Sequence, residues 1–150
     1  MSDHHLPLYF GFFTEIGIIS QLSRNMLENS LPSDMTVHHF SVVNHLSRVS
    51  DGATPIALAR AFQVPKTSMS HTIAGLTQRG LVEMRPNPKD GRSKKLWLTE
   101  AGRGFLEQVI ARFTPDVQET IEAVPPQMMA EIMPQLSEIR RRLDALRDVD

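Results

Sequence analysis

Residues 55–102 read PIALARAFQVPKTSMSHTIAGLTQRGLVEMRPNPKDGRSKKLWLTEAG. Thr54 followed by Pro55 is a helix start, because a threonine hydroxyl caps the first turn and a proline at the first helical position gives up only a donor without an intrahelical partner. The helix so begun covers Ile56 to Phe62, and Gln63-Val64-Pro65 leaves room only for a turn. A second helix runs to about Arg79, with Gly80 as its C-cap. Within it Met69, Ile73 and Leu76 recur at i, i+4 and i+7 and face a core, while Thr67, Ser70, His71 and Ala74 fall on the opposite side. Leu81 to Arg85 and Lys95 to Leu98 alternate as two short strands. Pro86 to Lys94 lies between them as a hairpin loop with its own turn chemistry. Thr99 caps a further helix, with Glu100 favourable in its first turn.

Helix, tight turn, helix, two strands around a basic loop and another helix make a winged helix-turn-helix. That module sets one helix in the DNA major groove and a loop in or beside the minor groove. The outward face of its second helix is small and polar, which lets it approach base edges closely, and the loop is basic. Lys66, Thr67, Ser68, Ser70 and His71 are the candidates there for bases or phosphates. In the loop, Arg92 suits the negative potential of a narrow minor groove, and Lys89 and Lys94 suit phosphates, which position a protein without specifying sequence. Asp90, two residues before Arg92, is placed to fix the loop or to hold Arg92.

The net charge of −1 conceals an uneven distribution. Between Arg60 and Lys95 stand Arg60, Lys66, Arg79, Arg85, Lys89, Arg92, Lys94 and Lys95 against only Glu83 and Asp90, a local excess of +6. Attraction to phosphate follows this local field, because salt screens the distant acids within about 8–10 Å.

At 150 residues the chain is expected to form one domain able to bury its own core. It has no apolar run of about 18 residues, which excludes a membrane span. The start, MSDHHLPLYF, lacks the features of a signal peptide, so a cytoplasmic location is expected. The absence of cysteine excludes disulfides, thiolate metal sites and thiol switches.

No cofactor or metal is expected. His38 and His45 lie about 10.5 Å apart along one predicted helix, too far to share an ion without further ligands. There is no Gly-rich phosphate loop, nucleophile elbow or HExxH, so the chain reads as a non-enzyme.

Upstream, Pro7 suits a first helix on which Phe12, Ile16, Ile19 and Met26 form a stripe widened by Phe13, Ile18, Leu22 and Leu27. So broad an apolar surface belongs either to a central core helix or to a dimer interface. Thr36 caps the next helix, with Val37, Phe40, Val43 and Leu46 inward. Downstream, Phe105, Val109, Phe113 and Val117 keep near-helical spacing around Pro115, and Pro125-Pro126 opens a last helix with an apolar stripe from Met129 to Leu146. Pro115 is expected to kink or end its helix and Pro134 to kink the last one.

These residues together resemble the MarR family of bacterial transcription regulators, over nearly the whole chain from about Leu8 to Leu146. The specific parts are LARAFQVPKTSMSHTIAGLTQRGLV, the Asp90-Gly91-Arg92 wing signature and LTEAG after the wing. The resemblance implies a mainly α fold with a small β-hairpin wing. Residues 35–100 would form the DNA-binding lobe and residues 7–31 and 101–148 the dimerisation helices of an obligate homodimer. It further implies double-stranded DNA with a pseudo-palindromic operator as partner, a repressor role and, often, release by a small aromatic or anionic effector. The chain departs from the family at Pro65, where a capping serine is common, at Gln63, where glycine is common, and at His71, where arginine is frequent. The alternative from another functional class is a winged helix used for protein–protein interaction without DNA binding.

Overall fold

The computed structural model describes residues 3–147. A short 3-10 turn, Asp3–His5, leads into α1 (Leu6–Ser30), followed by α2 (Val37–Arg48), α3 (Pro55–Phe62) and α4 (Lys66–Gln78). Strands β1 (Val82–Asn87) and β2 (Asp90–Leu98) form an antiparallel hairpin, and α5 (Glu100–Ala123) and α6 (Pro126–Arg147) complete the chain. Residue 148, the last of the expected dimerisation segment, lies outside the described residues. The chain divides into two compact units, residues 1–113 and 114–150, at a point inside α5 just before Pro115. Among the described residues no helix is long and apolar enough to cross a membrane.

The first unit is built on one apolar cluster. Met69, Ile73 and Leu76 from α4 are buried with Leu58 from α3, Leu46 from α2 and Leu96 from β2. Leu46, Leu58, Leu76 and Leu96 are almost wholly removed from water, and each such side chain contributes about 1.5–3 kcal/mol of hydrophobic stabilisation. The expected inward set of α2 needs one revision: Val42 is buried with Val43 and Leu46, whereas Val37 and Phe40 are only half-buried. α2 is covered from more than one side, so its apolar stripe is wider than a single i, i+3 row.

The helix starts follow the capping chemistry. The Thr36 hydroxyl accepts from the N–H of His39, and the Thr54 hydroxyl accepts from that of Ala57 at 3.2 Å. Thr99 does more. Its hydroxyl donates to the Gly80 carbonyl at 2.7 Å and accepts from the Gly102 N–H at 3.0 Å, while its own N–H donates to the Leu81 carbonyl. One residue therefore caps α5 and pins it to the turn after α4. Gly102 makes this approach feasible, since a Cβ there would collide with the Leu81 carbonyl oxygen and lie 2.6 Å from Leu98 Cδ1.

The hairpin corrects the expected strand limits. The ladder runs from Val82 opposite Leu98 to Pro86 opposite Lys94, then jumps to Asn87 opposite Asp90. The connection is thus only Pro88-Lys89, and Gly91 to Ser93 bulge from β2. Polar side chains hold this tip: Asn87 donates to the Ser93 hydroxyl at 2.9 Å and accepts from the Lys89 N–H at 3.1 Å. Pro86 is tolerated because each strand of a two-stranded ribbon has an unpaired side, where a missing N–H breaks no ladder bond. A further bridge joins Ala53 to Leu96, so the Asp51-Gly52 turn also feeds the sheet.

Of the two outcomes expected at Pro115, a kink or an end, the helix does not end there: α5 continues to Ala123, and α6 runs through Pro134 to Arg147. Each proline removes one donor, from the carbonyls of Ala111 and Ala130 respectively, and all four residues are exposed, so water takes the donor's place.

Gly102→Ala is expected to destabilise the protein by about 2–3 kcal/mol, since backbone at the α5 start must move to admit one methyl group. Chemical denaturation followed by circular dichroism would measure it; a change under about 0.5 kcal/mol would contradict the tight approach.

Candidate nucleic-acid interface

The residues singled out in the sequence fall on two adjoining elements. Lys66, Thr67, Ser68, Ser70 and His71 are all exposed on the first two turns of α4, opposite the buried Met69, Ile73 and Leu76. Lys89, Arg92 and Lys94 are exposed at or beside the tip of the hairpin.

The start of α4 is electropositive. Its N-cap is Pro65, which supplies no side-chain hydrogen bond, and no acid stands in the first turn. Uncompensated N–H groups carry the positive end of the helix dipole there, and Lys66 adds a full charge to it. A lysine in that place weakens an isolated helix by a few tenths of a kcal/mol, so the arrangement suits an anion better than it suits the helix. The helix forms despite Pro65, whose carbonyl accepts from the Met69 N–H at 3.1 Å.

The eight basic residues between Arg60 and Lys95 divide by partner. Arg79 is paired with Asp34 at 2.8 Å. Arg85 is bound to Glu83 and lies 5.1 Å from the centre of the Trp97 ring. Among the described residues Lys66, Lys89, Arg92 and Lys94 belong to no ion pair. Exposed Arg60 on α3 and half-buried Lys95 on β2 belong to none either, so four of the six cations outside ion pairs lie on α4 or at and beside the tip. Asp90 does not pair with the Arg92 guanidinium; its Oδ1 accepts from the Arg92 backbone N–H at 3.0 Å, which shapes the bulge and leaves the side chain outward.

Several contributors were not legible in the sequence. Asp34 stands 45 positions from Arg79 and accepts from it through both carboxylate and carbonyl. That bond holds the Asp34 carboxyl below the usual carboxylate range. Asp51 accepts from the Leu98 N–H at 2.9 Å and faces Arg103 at 3.5 Å, tying the turn after α2 to the base of the hairpin. A groove of about 440 Å³ runs beside α4, lined by Pro55, Ser70, Ile73, Ala74, Thr77, Gln78 and Met84. Among the described residues no three His, Asp or Glu side chains converge as the ligands of one ion would.

A sequence model described as the MarR family matches residues 33–93, which spans α2, α3, α4, β1 and the tip of the hairpin. Over those residues the chain is similar to the MarR family. Solved structures resemble the chain well beyond the matched segment. The transcriptional regulator BldR from Sulfolobus solfataricus is 22% identical, covers 95% of this chain and 99% of its own, and superposes with a TM-score of 0.78. Wild-type MarR from E. coli in its apo form is 26% identical over 84% of this chain and 94% of its own, with a TM-score of 0.72. BpsR of Bordetella bronchiseptica is 18% identical over 87% and 98%, also with a TM-score of 0.72. The MarR winged helix is therefore the fold of this chain.

Gln63 marks where this chain departs from the family's pattern at some energetic cost. Its φ of 53° and ψ of 45° are left-handed, the only such values at a non-glycine among the described residues. The turn between α3 and α4 requires that conformation, because the Gln63 N–H must close on the Arg60 carbonyl and that of Val64 on Ala59. Gln63→Gly is expected to raise stability by about 0.5–1 kcal/mol, relief of left-handed strain exceeding the entropy that glycine adds to the unfolded chain. The urea midpoint should rise at unchanged slope.

Proposed function

We propose that this DNA-binding transcription regulator acts as a homodimer on a pseudo-palindromic operator, as a repressor. The observation that carries DNA recognition is the pairing of an uncapped, lysine-bearing, small-residue helix face with a bulged basic hairpin tip. Thr67, Ser70 and His71 read base edges in the major groove, and Lys66 and Ser68 meet phosphates. Arg92 enters or borders the minor groove, Lys89 and Lys94 hold its phosphate walls, and Asp90 orients the tip. The protein–protein alternative leaves the cations outside internal ion pairs without a purpose.

Two apolar surfaces support the homodimer. On α1, Phe10, Phe13, Ile18, Ile19 and Leu22 are all more than half exposed, so the helix is not the centre of the core. On α6, Met129, Ile132, Met133 and Leu143 are exposed along one stripe. Contiguous apolar surface of this extent marks an interaction site. We assign residues 7–31 and 101–148 to that interface, with 35–100 as the DNA-binding lobe. Release by a small aromatic or anionic effector is supported by the groove beside α4 and by BpsR, whose DNA binding is regulated by 6-hydroxynicotinic acid. Such an effector acts only through a difference in affinity between DNA-competent and DNA-incompetent states.

Sedimentation at micromolar concentration is expected to give about twice 16.9 kDa; a folded monomer there would rule out the dimer. Fragments selected from the source genome should contain half-sites about 34–36 Å apart. Arg92→Ala should weaken binding to every fragment, while Ser70→Ala or His71→Ala should change which bases are preferred, by about 1–3 kcal/mol where the side chain makes a good base contact. Affinity that does not fall steeply with salt would count against phosphate neutralisation and hence against the whole reading.

A further inference from the structure

A histidine closes the N-terminal cap of α2. The Thr36 hydroxyl accepts from the His39 N–H at 3.4 Å, and His39 Nδ1 accepts from the Thr36 N–H at 2.9 Å. This reciprocal box ordinarily uses glutamate or glutamine in the second role, and an imidazole differs from both near neutral pH. Nδ1 accepts only while it is unprotonated, and since the Thr36 N–H occupies it, the neutral ring carries its proton on Nε2. That same Nε2 packs against α4. A Cβ built on Gly75 would lie 2.8 Å from Nε2, so a larger residue there would have to displace the ring, while Arg79 Nη1 at 3.7 Å is in ordinary contact. Arg79 then donates to the Gly75 carbonyl at 3.1 Å and reaches Asp34, in the turn before α2, through its carbonyl and its carboxylate.

We propose that His39 is a positioning residue for α4 and a proton-operated latch on DNA binding. Neutral, it caps α2 and seats α4 through Gly75. Protonated, it can no longer accept from Thr36, and it places a second cation against Arg79, the residue that clamps the end of α4 to Asp34. The inference goes beyond DNA recognition but rests on it for its functional consequence.

The groups facing the ring are Asp34 from the preceding turn, His38 on α2 itself, and Arg79 and His71 on α4. Burial opposes the imidazolium most, followed by Arg79, His38 and His71, with Asp34 alone favouring it, and the balance holds His39 below its ordinary value. The unfolded chain therefore takes up this proton first. The contribution of neutral His39 to folding is complete above about pH 6.5 and is lost as the pH falls below that toward the folded value. Asp34, held low by Arg79, stays ionised throughout that window.

The test compares a fluorescent duplex carrying a genome-selected fragment at pH 7.5 and pH 5.5, for the wild-type chain and for His39→Gln, which keeps the cap and removes the titration. Wild-type affinity is expected to fall by about threefold or more on acidification, and that of His39→Gln to hold or rise. Parallel profiles for the two, or a wild type that binds more tightly at pH 5.5, would overturn the latch. If His39→Gln does not fold, or if no duplex is bound at pH 7.5, imidazole titration of the wild-type chain by NMR decides instead. His39 protonating below the ordinary imidazole value, with backbone signals of Gly75 and Thr36 moving on the same curve, supports the latch, and titration that leaves those signals still refutes it. Absence of binding at pH 7.5 separately counts against the DNA reading.

Discussion

Burial of Met69, Ile73 and Leu76 is the constraint on which the rest depends. All three are less than 5% exposed, and on a helix of period 3.6 that fixes which residues face away. Thr67, Ser70, His71 and Ala74 form the outward surface because there is nowhere else for them to point. A rotation of α4 by one residue would push Ser70 and Thr77, or Ser68 and Thr72, toward the core and Ile73 toward water, at a cost of several kcal/mol in lost apolar burial and unpaired polar groups. The face offered to DNA is set by the face withdrawn from water.

The surroundings of α4 hold it in axial position as well. Its C-terminal end is clamped by Arg79 to Asp34, and the turn that follows is gripped by Thr99 through the Gly80 and Leu81 carbonyls. Its N-terminal end has no side-chain cap. The helix is thus most restrained where it joins the lobe and least satisfied where the candidate phosphate contacts lie. That asymmetry suits an anion completing the first turn, and it gives His39 leverage, since the ring bears on Gly75 at the restrained end.

The hairpin applies the same division to charge. Arg85 is consumed by Glu83 and Trp97 at its base, and Asp90 spends its carboxylate on a backbone N–H, leaving the cations of the tip outward.

Much of this was legible in the residues themselves. Thr36, Thr54-Pro55, Gly80 and Thr99 announce helix ends because capping is a local matter of one side chain and the next few N–H groups. The two faces of α4 follow from period alone, and so do the identities of the exposed basic residues. Other features were decided only by the tertiary structure. Asn87, Asp90 and Ser93 lengthen the hairpin by bonding across its tip, and strand limits read from alternation of apolar residues cannot register such polar pairing. Pro115 and Pro134 sit inside continuous helices because their surroundings are wet, a property of packing and not of proline. The pairings of Asp34 with Arg79, Asp51 with Leu98, and His39 with Gly75 join residues far apart in the chain. Each depends on how α2, α4 and the hairpin are brought together, and no local pattern carries that information.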